Sequence, residues 1–179
     1  MLAFLMGAVY KTYETERLFL KPTDLDDAEF IQKLMNTPKW LKYIGDRNIH
    51  SVEDAENYIQ NRMLTQLERL GYSNYTLITK TEGYKIGTCG LYEREGKEGI
   101  DIGFAFLPPF EKLGYAFEAA SKLRDIAFNE LGIKEIQAYT LKDNISSQQL
   151  LEKLGLECIG TTNLPNDPEE LLHYRIILR

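Results

Sequence analysis

Hydrophobic and polar positions along this chain change period repeatedly, and each change marks an element. Arg17 to Lys21 alternates apolar and polar residues, the two-residue period of a half-buried strand, and Pro22 closes it. Asp24 is a suitable cap for the next segment, where Ala28, Ile31, Leu34 and Met35 recur at helical spacing before Pro38. Lys39 to Ile49, bearing Trp40, Tyr43 and Gly45, reads as an irregular connection. Ser51, with Asp54 three residues on, starts a second helix whose stripe runs Ala55, Tyr58, Ile59, Met63, Leu67 and Leu70 until Gly71 stops it.

Strand character returns over Tyr72 to Thr79 and Lys85 to Glu93, around a turn at Glu82-Gly83. Polar residues Arg94 to Gly99 reverse the chain into a strand from Ile100 to Phe106, in which Gly103 suggests a bulge or a ligand backbone close by. After Gly114 a helix buries Ala116, Ala120, Leu123, Ala127 and Leu131 and ends at Gly132. Lys134 to Leu141 is a further strand. Asp143-Asn144 opens another helix, with Ser146 and Gln149 at capping-box spacing, Leu150, Leu151 and Leu154 facing inward, and Gly155 at its end. Leu156 to Thr162 and Leu171 to Leu178 are strands around the loop Leu164 to Pro168. These elements predict a single-domain α/β fold. Its sheet is mixed, mostly antiparallel and twisted, with about six or seven strands flanked by about four helices and a βαβαβ C-terminal half.

Composition narrows the function classes. A chain of 179 residues suits one domain whose core needs neither disulfides nor metal. The apolar share of 44%, with 11 Tyr and 8 Phe, argues against disorder. A formal net charge of −6 argues against non-specific nucleic-acid binding and leans towards a cationic substrate. Cys89 and Cys158 offer no spacing for a disulfide framework or a zinc site and read as small core hydrophobes. His50 and His173 are the only histidines, neither with a visible partner, so no metal is expected. Met1 to Val9 is apolar but too short to span a bilayer. The expectation is a cytoplasmic chain without membrane contact, a domain over residues 13–179 and an N-terminal extension over 1–12.

Two strand-to-helix junctions carry the chemistry, Phe106 to Ala116 and Leu141 to Ser147. If their strands are parallel neighbours, both junctions open at one sheet edge, where adjacent strands leave a crevice for a ligand. At the first junction, backbone N–H groups of Lys112, Leu113, Gly114, Tyr115 and Ala116 converge with the positive end of a helix dipole, a site suited to a diphosphate. Gly114 removes the side chain that would obstruct it. Asn144 at the second junction is placed to hydrogen-bond a neighbouring polar part of the same ligand.

The run Gly114-Tyr115-Ala116-Phe117-Glu118-Ala119, then Ala127-Phe128-Asn129-Glu130-Leu131-Gly132, Asn144-Ile145-Ser146-Ser147 and Leu151-Glu152-Lys153-Leu154-Gly155-Leu156, resembles the GNAT acetyltransferase superfamily. Glu14-Thr15-Glu16-Arg17-Leu18 and Leu25-Asp26-Asp27-Ala28 are similar to the usual opening of its RimJ/RimL type, the ribosomal-protein N-terminal acetyltransferases and their relatives. The resemblance implies an enzyme that uses acetyl-CoA, with the pantetheine arm along Phe104, Ala105 and Phe106 and the pyrophosphate at Glu111 through Ala116. The family usually has Gln or Arg where this chain has Glu111, a carboxylate near phosphates of like charge. A homodimer is a further implication of the likeness.

Acetyl transfer from a thioester needs no enzyme nucleophile. It needs a neutral acceptor amine, an N–H for the carbonyl oxygen and a proton for the departing thiolate. Asp101 sits where the family commonly has Glu and is the first candidate for the base; Glu93 and a water chain are the others. The family's Tyr donor position holds Leu151, and the RimJ/RimL likeness implies Ser147 instead, placed by the Asn-x-x-Ser spacing, both as donor and as cofactor contact. Trp40 and Tyr43, with Glu93, are the candidates for acceptor contact, because family substrate grooves are formed by the early helices. Tyr58, on an apolar stripe, reads as core. The acceptor implied is a primary amine: a protein N-terminus, a polyamine, an amino sugar or another small amine. The alternative is a CoA-binding sensor or scaffold without catalysis, motivated by Glu111 and Leu151.

Overall fold

A computed structural model of the chain describes residues 10–178; the expectation for Met1 to Val9 lies outside them. Strands β1 (Tyr13–Glu14) and β2 (Leu18–Pro22) lead into helix α1 (Ala28–Met35) and the short helix α2 (Pro38–Tyr43). Helix α3 (Val52–Tyr58) continues through a π-helical stretch, Ile59–Leu64, into α4 (Thr65–Leu70). Then come β3 (Asn74–Thr79), β4 (Lys85–Glu93), β5 (Ile100–Phe106), α5 (Tyr115–Asn129), β6 (Glu135–Thr140), α6 (Ile145–Lys153), β7 (Glu157–Asn163) and β8 (Glu170–Ile177).

The strands form one eight-stranded sheet in the order β1-β2-β3-β4-β5-β6-β8-β7. Every neighbouring pair is antiparallel except β5 and β6, which run parallel. The mixed, mostly antiparallel class agrees with the sequence. The expected βαβαβ ending is modified, because β8 turns back and inserts between β6 and β7. Element counts rise for local reasons. The π-helical stretch divides the helix predicted from Ser51 to Leu70, and part of the supposed irregular connection is helical. There Thr37 Oγ1 accepts the Trp40 N–H, and Pro38 takes a first-turn position, where its missing N–H is harmless. The proline that ends one helix therefore starts another.

Strand alternation separates two layers. Leu18, Leu20, Tyr75, Leu77, Cys89, Leu91, Ile102, Ile136 and Ala138 meet the small residues Ala119, Ala120 and Ala127 of α5 on one face. Asn74 and Thr76 point to the other, where α1 is anchored by a buried acid. Asp27 is fully buried and accepts hydrogen bonds from Thr76 Oγ1 (3.0 Å) and the Asp24 N–H (3.1 Å), with Lys21 at 3.0 Å and Lys85 at 2.7 Å. Burial alone would raise its pKa; the Lys85 and Lys21 ammoniums and the Asp24 N–H outweigh it and hold the carboxyl below its ordinary value. Beyond this anchor, Ala28, Ile31 and Met35 of α1 pack with Ala55, Ile59 and Met63.

The pairing that matters most is incomplete. β5 and β6 pair only at Ile100↔Ile136 and Asp101↔Gln137. Yet β5 stays paired with β4 as far as Phe106↔Gly87, and β6 with β8 as far as Thr140↔Leu172. The two parallel strands diverge, and a crevice opens between them towards their C-terminal ends. Each strand there exposes backbone that its neighbour does not use.

Candidate active site

The first wall of the crevice is the loop from β5 to α5. Leu107 and two prolines give a single 3₁₀ turn, Pro108–Phe110, after which Lys112 and Gly114 both adopt the left-handed backbone, φ 58° and 84°. That conformation is easy for Gly114 and unfavourable for a β-branched residue. Among the described residues, none of the backbone N–H groups from Lys112 to Phe117 donates to a protein acceptor. They are the orphan donors of a helix start, extended backwards by the loop.

Arg17 holds this loop from outside. Its Nη1 donates to the Leu113 carbonyl (3.0 Å), its Nε to Glu118 Oε2 (2.7 Å), and its guanidinium lies 4.2 Å from the Tyr115 ring centroid. Glu118 Oε1 also accepts the Arg17 N–H (2.8 Å) and the Thr15 hydroxyl (2.6 Å). A trans peptide points its C=O and its N–H to opposite sides. Fixing the Leu113 carbonyl on Arg17 therefore turns the Gly114 N–H away from Arg17. A Cβ on Gly114 would lie 3.2 Å from Arg17 Nη2, a tight contact that the guanidinium would have to relieve by a small shift.

Glu111, the departure from the family pattern, is paired with Lys39 of α2. The second wall is the junction of β6 and α6. Asn144 Oδ1 caps α6 by accepting the Ser147 N–H (3.3 Å), so Asn144 takes the capping role expected of Ser146 with Gln149. Ser147 is half-buried in the first turn, while Leu151, at the family's Tyr position, is buried in the core. Phe104, Ala105 and Phe106 lie along the β5 edge that β6 leaves unpaired.

The floor beside β5 holds Asp101 together with Arg94, Gln137, Tyr139 and His173, groups to which sequence reasoning assigned no role. Asp101 is only 4% exposed, and its two oxygens accept from Arg94 Nε and Nη2 at 2.9 Å each. Burial raises its pKa despite Arg94. Its carboxylate is engaged with Arg94 and offers almost no surface to an amine; the base role expected of it has no direct contact in this geometry. Arg94 lies 5.7 Å from the Tyr139 ring centroid. Tyr139 donates to Gln137 Oε1 (2.8 Å) and stacks on His173 at 4.9 Å, and His173 Nε2 reaches the same Gln137 oxygen at 2.7 Å. Burial, then the charges of Lys97 and Arg175, hold His173 below the ordinary imidazole pKa, so it is neutral at pH 7 and donates from Nε2. His173 thus has partners, contrary to expectation. A signal existed: Gln137 and Tyr139 alternate with Ile136, Ala138 and Thr140, which puts both on one face of β6.

Gly103 serves no bulge, since β4 and β5 pair in unbroken register there, and it makes room for the Tyr92 ring. A Cβ there would sit 3.0 Å from the Tyr92 ring, and one on Gly90 only 2.3 Å from the Tyr92 hydroxyl. The two glycines face each other across β4 and β5 and let the ring lie flat over them. Glu93 is exposed and paired with Arg69 of α4, which draws its carboxylate to the helix. Trp40 and Tyr43 are half-buried on α2; the Trp40 Nε1 is buried with no hydrogen-bond partner among the described residues, whereas Lys42 Nζ donates to the Tyr43 hydroxyl (3.1 Å). Tyr58 packs against the α1–α3 core. Cys89 is buried as expected, but Cys158 is exposed on edge strand β7. No group of His, Cys, Asp and Glu suited to a metal occurs among the described residues, and none of their helices is long and apolar enough to cross a membrane.

Comparison with known proteins identifies the fold and the family. A relative from Bacillus licheniformis, named uncharacterized N-acetyltransferase p20, is 31% identical over 84% of this chain and 84% of its own. The acetyltransferase from Agrobacterium tumefaciens str. C58 superposes with a TM-score of 0.80 at 24% identity, covering 97% of this chain and 98% of that one. RimL, a ribosomal alpha-N-protein acetyltransferase solved in complex with coenzyme A, shares the fold with a TM-score of 0.78 at 16% identity, over 94% and 98% of the two chains. The family model for the acetyltransferase (GNAT) domain matches residues 17–157, from the Arg17 clamp through both walls of the crevice, and the chain belongs to that family of acetyltransferases.

Proposed function

We propose that this acetyltransferase takes its acetyl group from acetyl-CoA and delivers it to a primary amine, a protein N-terminus or a small-molecule amine, by direct attack with both substrates bound. The observation that carries the reading is the run of free N–H groups from Lys112 to Phe117 at the mouth of a crevice whose β5 edge is unpaired. That set of donors fits a diphosphate, and the strand edge fits an amide-bearing arm that binds as an extra strand. Lys112, Leu113, Gly114, Tyr115 and Ala116 would hold the phosphates. Phe104, Ala105 and Phe106 would hold the arm, with Asn144 and Ser147 on the far side. When bound, acetyl-CoA supplies an acyl group already activated as a thioester.

The remaining work falls to the chain. A free N–H on β5 stabilises the carbonyl oxygen as the amine adds. Ser147, in the first turn of α6, relays a proton to the departing sulfur. Its oxygen takes one from water as its own leaves, so that the hydroxyl is regenerated and the proton lost by the amine to water is balanced. The amine's proton leaves to water at the crevice mouth, because Arg94 occupies Asp101. Trp40 and Tyr43, half-buried on α2, contribute aromatic side-chain surface to the acceptor groove, although the Trp40 Nε1 itself is buried. The sensor alternative loses one of its two motives, since Lys39 neutralises Glu111.

An acceptor screen with free-thiol detection tests the reading, alongside titration with CoA. Thiol release should require both acetyl-CoA and a primary amine. Gly114→Val, which forces a β-branched residue to φ 84°, should abolish CoA binding while the far-UV circular dichroism is kept. Tight CoA binding without thiol release on any amine would favour the sensor. Normal CoA binding by Gly114→Val would remove the phosphate cradle.

A further inference from the structure

Helix α2 spans the mouth of the crevice and is tied to both of its walls. Lys39 pairs with Glu111 on the β5–α5 loop, and Lys42 Nζ stands 2.9 Å from Asp143 Oδ2 on the β6–α6 junction. The two lysines are three positions apart and so share one face of the helix. Their partners are the acids that rim the crevice mouth. Glu111 lies one residue before the free N–H run, and Asp143 one residue before the cap of α6. The Glu111 side chain is only 22% exposed, against 60% for Asp143, so solvent screens the first acid far less.

We propose that Lys39 and Lys42 are part of the cofactor site, where they cancel the charge of Glu111 and Asp143 so that a diphosphate can occupy the cradle between them. The proposal rests on reading Lys112 to Phe117 as that cradle. An unpaired carboxylate at Glu111 would repel every phosphate of the ligand; Lys39 makes the glutamate tolerable where a neutral or basic residue is usual. Lys42 plays the same part for Asp143, more weakly, because that pair is more exposed. These are positioning residues for charge and do not touch the reacting atoms.

Isothermal titration with CoA, on the full chain, separates this role from a structural one. Lys39→Ala should raise Kd for CoA about five- to tenfold, the order expected of one unit charge acting on a doubly charged group across a wet mouth. Glu111→Gln alone should tighten binding several-fold. The double variant, with no net charge at the pair, should return to within about twofold of the parent. The Lys39→Ala deficit should shrink as salt rises. Lys42→Ala should weaken binding about two- to threefold. Acetyl-pantetheine, which carries the arm but no phosphate, should show an unchanged KM in every variant. A Lys39→Ala affinity within twofold of the parent, a double variant as weak as Lys39→Ala, or an equal loss for acetyl-pantetheine would each overturn the lysine role. If the parent chain itself binds no CoA, the cradle reading falls, and this proposal with it; if the parent binds and Lys39→Ala binds equally, only the lysines are removed.

Discussion

At the scale of single residues, Arg17 shows how one side chain orders a site to which it contributes no reacting group. Its contact with the Leu113 carbonyl crosses 96 positions of sequence, and its contact with Glu118 crosses 101. Arg17→Ala should release the loop peptide, weaken CoA binding by about tenfold and leave kcat at saturating substrate nearly unchanged, the signature of lost ground-state positioning. Arg17→Lys should not rescue, because an ammonium cannot serve a carbonyl, a carboxylate and an aromatic face together. Steady-state kinetics in acetyl-CoA checks both; an Arg17→Ala enzyme with an unchanged KM would deny the clamp any role. In the sequence, Arg17 was visible only as part of an opening that resembles the RimJ/RimL type. Gly114 was legible by itself, since a glycine directly ahead of a helical stripe has a local meaning that does not depend on what lies across from it.

At the scale of elements, the layer between the sheet and α1 depends on Asp27. Asp27→Asn leaves Lys21 and Lys85 without their buried partner and should destabilise the fold by roughly 3 kcal/mol, towards the lower end for a broken buried pair because both lysines are partly exposed. The pH dependence has a definite sign. Asp27 has a folded pKa below its unfolded value, so its stabilisation is present above the unfolded carboxylate pKa, about 3.9, and is lost as pH falls through the folded value. Urea denaturation of parent and variant should therefore differ most near neutrality and converge in acid; a constant gap across pH would mean that charge is not the source. The same element scale explains what periodicity missed. α2 has only six residues and no fully buried side chain, so it offers no apolar stripe to read. The stretch from Ile59 to Leu64 is apolar enough to look α-helical, and its π geometry is not encoded in that pattern.

At the scale of the whole molecule, the parting of β5 from β6 is the decisive feature, because it turns two ordinary strand-to-helix junctions into facing walls. The acid-base chemistry follows from the floor between them. Since Arg94 occupies both Asp101 oxygens, kcat/KM should rise with pH along a limb set by the acceptor itself, near ~8 for an α-amine and ~10.4 for a lysine-type amine. Rate profiles for the two amine types would show this directly. A shared acidic limb, independent of the amine, would restore Asp101 as the base. Trp40, Tyr43 and Glu93, chosen from the sequence for the acceptor, fall on three different footings here: a half-buried indole, a phenol held by Lys42, and a carboxylate held by Arg69.

What the chain determined by itself is what can be written over a few consecutive residues: the strand and helix periods, the glycine that opens α5, the start of α6 at Asp143-Asn144, and the motifs that resemble an acetyltransferase. Each of these is a local conformational preference, decided by neighbours within a turn or two. Tertiary structure alone decided which charges meet. Lys39 and Glu111 stand 72 positions apart, and Arg94 reaches Asp101 only because β4 and β5 fold back on each other. Tyr92 lies on two glycines for the same reason. Those encounters depend on sheet order and on the divergence of two strands, and no window of sequence contains either.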